Sequence, residues 1–190
     1  ICIETCELRI MAILCKVTRG EFTESIHVVF AVVVDESGDI IYSTGDPHYL
    51  TCIRSSLKPF QAAAAIREGS VDAAGFTDDE IALMCASHLG EDIHTQTVKN
   101  MLDKLGFNVS DFECGAHPPA DKATRYNQIK NGLEPDALHN NCSGKHVGML
   151  ALAKHLVGNP AGYTKLDHPV QQAIIQLLKD YTGLNKIPTS

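Results

Sequence analysis

Several things are scarce in this sequence. No apolar run approaches the ~18 residues that a membrane-crossing helix needs. The longest, residues 28–34, has the length of a strand and is rich in β-branched side chains. Positive charge is short as well: 16 Lys and Arg stand against 23 Asp and Glu, for a net charge of −7. The cations are scattered and form no basic patch, which argues against a nucleic-acid partner. None of the seven cysteines forms a CxxC pair, and their number is odd. A chain this long has no need of disulfide staples, so the pattern suits free thiols in a reducing, cytoplasmic compartment. The opening "ICIETCELRI" carries Glu4 and Glu7 and lacks the basic start of a signal peptide. With Met11 following it, residues 1–10 read as foreign to the fold and residues 11–190 as one domain. Repeats and low-complexity linkers are also missing.

What is present divides along the chain. The N-terminal third reads as strands over 12–18, 24–34 and 40–44, with the turn "DESGD" before the last. The rest reads as helices. One is Ala-rich, over 56–68, and ends at Gly69. The next is opened by a Thr77–Glu80 capping box and runs to about Ala86. Others cover 92–105, ending at Gly106, then 120–130, 142–156 and 168–182. Strands first and helices after predict an α+β domain with helices against an antiparallel sheet.

Three stretches carry candidate chemistry. In "RSSLKPFQ" (54–61), proline fits only the first turn of a helix. The helix therefore begins within about a turn of Pro59, and Ser55 stands at or beside its start. Positions 55 and 58 share a helical face. A serine at the positive end of a helix, with a lysine held neutral by burial one turn on, is a nucleophile–base arrangement. A plain N-cap serine gives the same spacing, and on the order of one S-x-x-K is expected by chance in a chain of this length. In "CASHLGEDIH" (85–94), Ser87, His88, Glu91 and His94 cluster between two helices, as an active-site loop or as a capped, solvated one. In "HNNCSGKHVGML" (139–150), Cys142 and His146 stand i, i+4, a spacing that can hold zinc, and His139 could add a ligand. The bland alternative is a capped helix with a buried structural thiol. His117, before two prolines, and His168, at a helix start, read as structural.

Taken together, "RSSLKPFQ", "DDEIALMCASHLGEDIH", "CGAHPP", "NNCSGKHVGMLA" and "DHPVQ" resemble the type III, Rhizobium-type L-asparaginases, over roughly residues 18–187. The resemblance implies an α/β sandwich similar to serine β-lactamases and glutaminases. It implies hydrolysis of L-asparagine to L-aspartate and ammonia, and a homodimer. It assigns a Ser-Lys tandem to Ser55 and Lys58 and the serine of a second tandem to Ser87. Arg54, His88, Glu91, Asn141 and Ser143 fall around the substrate. It implies a zinc ion held by Cys142 and Lys145, which displaces His146 as the second ligand. It also implies that the second tandem's lysine and a further zinc cysteine lie beyond Ser190, so that this chain is the N-terminal portion of the domain. The rival readings are a glutaminase or β-lactamase-like serine hydrolase, or a non-catalytic zinc or amino-acid binding module. The S-D-N and K-T-G elements of β-lactamases are absent.

Overall fold

Short alternating and β-branched runs separated by turn residues make the N-terminal strands. A computed structural model describes residues 13–189. Ala12 of the first expected strand, and residues 1–10, lie outside the described residues. β1 (Ile13–Arg19) pairs antiparallel with β2 (Phe22–Val29), and β3 (Ala31–Val34) pairs antiparallel with β4 (Ile40–Thr44). The second hairpin closes through the expected "DESGD" turn. There the Asp35 carboxylate accepts the Ser37 and Asp39 amides, and Gly38 supplies a φ of +87°.

One expectation is corrected here. Residues 24–34 do not form a single strand, because pairing changes partner at Phe30, from β1 to β4. The Phe30 ring stacks on Tyr49 with centroids 4.6 Å apart and lies against Gly45, where a Cβ would come within 2.4 Å of it. That ring contact at the switch point is invisible to local periodicity.

The chain divides into two compact units between Cys52 and Ile53, the strands in the first and the helices in the second. A 3-10 turn (Arg54–Leu57) leads into α1 (Lys58–Arg67). The expected stop at Gly69 is there, but a short α2 (Ser70–Ala74) follows it directly. α3 (Asp78–Cys85) opens with both bonds of the Thr77–Glu80 capping box, and α4 (Asp92–Leu105) ends at a left-handed Gly106. α5 (Lys122–Lys130), α6 (Ser143–Val157) and α7 (Pro169–Thr182) start one to two residues after the expected boundaries, with Asp121 and His168 capping α5 and α7 by accepting the Thr124 and Val170 amides.

α6 is the centre of the second unit. Ten of its residues are buried, from Ser143 to Ala153, as expected of a helix apolar on all sides. α1, α3, α4 and α7 pack around it. α3 comes closest, because Gly144 and Gly148 leave a flat stripe on α6. A Cβ on Gly144 would lie 2.3 Å from the Leu83 carbonyl oxygen, and one on Gly148 2.5 Å from Met84 Cε. This contact brings the C-terminal end of α3, and the loop after it, against the start of α6. No helix among the described residues is long and apolar enough to cross a membrane.

Candidate active site

The turn before α1 sets up the first part of the site. A 3-10 turn has three residues per turn, so side chains at i and i+3 lie one above the other. The Lys58 amide donates to the Ser55 carbonyl across that turn, which puts Ser55 and Lys58 on one side. Pro59 follows in the first turn of α1, where its missing N–H costs no intrahelical bond. Arg54 enters the turn at φ +50°, the only positive φ outside glycine among the described residues. Ser55 and Arg54 are exposed, whereas Lys58 is buried, at 3% exposure. Lys58 Nζ donates to Ser87 Oγ at 2.5 Å. The lysine that the sequence pairs with Ser55 thus also holds the serine of the second candidate stretch.

Ser87 is delivered by the loop after α3. Ala86 leaves the helix extended, and the side chains that follow alternate: Ser87 and Leu89 exposed, His88 and Gly90 buried. His88 is 4% exposed and bonded on every side. Its amide donates to the Asn141 carbonyl at 3.2 Å. The Gly90 amide donates to Nδ1 at 3.1 Å, so the ring proton sits on Nε2, which donates to Ser143 Oγ at 2.8 Å. Ser143 Oγ passes its own proton to the Leu138 carbonyl at 3.0 Å. Burial, then the nearby His94, Lys58 and His139, push the His88 pKa down to about 4. Gly90 is required where it stands: its φ is +78°, and a Cβ would meet Pro119 at 3.0 Å and the His139 carbonyl at 3.1 Å. Glu91 is half-buried at the start of α4 and makes no side-chain cap bond. His94 stacks on His88 at 5.1 Å. Its Nδ1 is buried without a hydrogen-bond partner among the described residues.

The third stretch opens α6. Asn140 bridges two segments: its Oδ1 accepts the Cys142 amide and its Nδ2 donates to the Gly115 carbonyl, both at 2.9 Å. Cys142 Sγ donates to Asn141 Oδ1 at 3.3 Å. Ser143 is completely buried, in the bond to His88. Burial lowers the Lys145 pKa, with the Cys142 and Cys114 thiols opposing and Lys58 assisting. Burial likewise raises the Cys114 thiol to about 11. Sequence reasoning passed over Cys114, although the quoted "CGAHPP" motif begins with it.

His146 and His139 are both engaged elsewhere. Tyr163 Oη accepts the Glu113 amide at 2.9 Å and donates to His146 Nδ1 at 2.7 Å. Burial depresses the His146 pKa to about 3 and raises that of Tyr163. His139 Nδ1 meets the Asp136 carboxylate at 2.8 Å and its Nε2 meets Gln128. His117 is exposed, and His168 caps α7 by accepting the Val170 amide. The described cysteines, Cys15, Cys52, Cys85, Cys114 and Cys142, are free thiols.

The donor chemistry around Cys142 suits zinc only in part. A thiol and a buried amine with a lowered pKa are both competent zinc donors once deprotonated. Among the described residues, however, no three His, Cys, Asp or Glu side chains converge as a metal-binding set. Cys142 and Lys145 by themselves would fill only half of a tetrahedral shell.

The model of the family described as L-asparaginase II matches residues 15–189. No curated protein matches the chain.

Proposed function

The chain belongs to the L-asparaginase II family, and on that premise we propose that it hydrolyses L-asparagine to L-aspartate and ammonia through an acyl-enzyme on Ser55. Family membership by itself implies an asparaginase-like hydrolase with a small-molecule substrate. The observation that carries the finer reading is the buried Lys58 amine, one 3-10 turn from Ser55 and bonded to Ser87. A serine β-lactamase-like architecture, with a homodimeric state, belongs to the same proposal.

In the reaction, Ser55 Oγ attacks the side-chain amide carbon while the Lys58 amine accepts its proton. The C–N bond then breaks. Lys58 returns the proton to the departing nitrogen through Ser87 Oγ, so ammonia leaves as a neutral molecule. Water attacks the resulting ester, giving up a proton along the same route, and aspartate is released with Ser55 restored. The exposed Arg54 guanidinium offers a bidentate partner for the substrate α-carboxylate. Glu91 complements the α-ammonium group, and Asn141 contributes amide hydrogen bonds. Cys142 and Lys145 would hold a zinc ion, which when bound supplies a fixed positive charge beside the site. No step above depends on it.

The test is ammonia release from asparagine, glutamine and, for comparison, ring opening of a chromogenic β-lactam. Turnover of asparagine, with an acyl adduct on the Ser55 peptide after acid quenching, is the expected result. An adduct on Ser87 alone, or preferential turnover of either competitor, would overturn the assignment.

A further inference from the structure

The loop that carries Ser87 is anchored by its neighbour. From Ala86 onward the side chains alternate outward and inward, so the direction of Ser87 depends on how firmly His88 is held on the other side. His88 is held at its amide by Asn141, at Nδ1 by Gly90 and at Nε2 by Ser143, and the hydroxyl of Ser143 is committed in turn to the Leu138 carbonyl. Both ring nitrogens are taken and the side chain is 4% exposed, so it has no free group with which to touch a substrate or move a proton. Ser143 is completely buried and equally committed. The same bonds run from the Ser87 loop directly into the 138–143 segment that opens α6.

We infer that His88 is a positioning residue: braced by Ser143, it fixes the 86–91 loop so that Ser87 stays on the Lys58 amine. The ring serves as a rigid two-ended strut, receiving at one nitrogen and giving at the other. Its fixed tautomer keeps the polarity of the chain from Gly90 to Leu138 in one direction. The inference rests on the hydrolase reading only for its kinetic consequence.

Three variants separate the limbs of the brace. His88→Gln places a donor near the position of Nε2 and keeps the reach to Ser143. His88→Asn places an acceptor near the position of Nδ1 and keeps only the bond to Gly90. Ser143→Ala removes the far anchor. Expected for His88→Asn and Ser143→Ala is a kcat for asparagine lower by about 10- to 100-fold with KM unchanged, the size of effect that follows from misplacing a reacting group by an ångström or less. His88→Gln retains more of kcat than His88→Asn. Amide hydrogen exchange in a peptide covering 86–91 should quicken in His88→Asn and Ser143→Ala. Wild-type kcat together with wild-type exchange in Ser143→Ala, or a His88→Asn variant that outperforms His88→Gln, would overturn the inference. Should the wild-type protein release no ammonia from asparagine, the proposed function fails, while the exchange data on the same three variants still decide the brace.

Discussion

At the scale of single residues, the two serines around Lys58 carry different loads. Ser55 is exposed and its hydroxyl forms no hydrogen bond among the described residues, so Ser55→Ala leaves the melting temperature unchanged. It should nevertheless lower turnover by at least about 10³-fold, since no other group replaces the nucleophile. Ser87 is the hydrogen-bond partner of a buried amine. Ser87→Ala strands that amine, so it should cost stability, about 1–3 kcal/mol, and also about 10²-fold in kcat through lost proton transfer. Paired ammonia-release assays and thermal melts check both; equal losses of stability in the two variants would contradict the division of roles. Arg54 gives a third contrast. Its φ of +50° is one that glycine adopts without steric cost. Arg54→Gly should therefore leave stability nearly unchanged, relief of the left-handed backbone offsetting a more flexible unfolded chain. Loss of the guanidinium should raise KM for asparagine about 10- to 100-fold, the worth of a charged hydrogen-bonding partner. An unchanged KM would remove Arg54 from the substrate site.

At the scale of elements, the site depends on one helix crossing. α3 and α6 meet where Gly144 faces the Leu83 carbonyl and Gly148 faces the Met84 side chain. Backbone cannot move aside, whereas the end of a methionine can. Gly144→Ala should cost about 1–3 kcal/mol, the range for overpacking, and Gly148→Ala clearly less. The order of denaturant midpoints checks this, and the reverse order would mean that the crossing is looser than the contact distances require. Neither glycine announced itself, because an interior helical glycine shows its purpose only once the neighbouring helix is in place. Local chemistry was legible where a residue acts on its own backbone: the Thr77–Glu80 box, the Asp35 turn, and the helix stops at Gly69 and Gly106 all form. The three stretches that the sequence singles out are linked in the fold, which brings Lys58 of the first to Ser87 of the second and His88 of the second to Ser143 of the third. What stayed hidden were long-range choices: the change of strand partner at Phe30, the commitment of both His88 nitrogens, and the Tyr163 hydroxyl on His146. Spacing offers i, i+4 partners but cannot say that a tyrosine 17 residues away has already taken the ring nitrogen.

At the scale of the molecule, those buried rings make stability depend on pH. His88 and His146 are both held neutral, with pKa values pushed from 6.5 down to about 4 and about 3, in each case chiefly by burial. Each ring accepts a proton readily in the unfolded chain and resists it in the folded one. Between these folded values and 6.5 the unfolded state binds more protons, so stability rises with pH through that window and is lost as pH falls through it. At pH 5 each histidine should cost about 2 kcal/mol relative to pH 8, at about 1.4 kcal/mol per pH unit below the unfolded value. Together that is a large fraction of the ~5–15 kcal/mol that holds a typical domain folded. Carboxylates with depressed values, such as Asp180 bonded to Gln176 and Arg67, likewise lose stability as pH falls, but only through the lower, carboxylate range, so they do not account for a loss between pH 5 and 6. Denaturant unfolding at closely spaced pH values gives the proton uptake directly from the slope of stability against pH. Between pH 5 and 6 the two rings should contribute an uptake of about two protons. An uptake near zero in that interval would mean that these histidines are not held neutral in the folded protein, and the tautomer assigned to the His88 strut would fall with them.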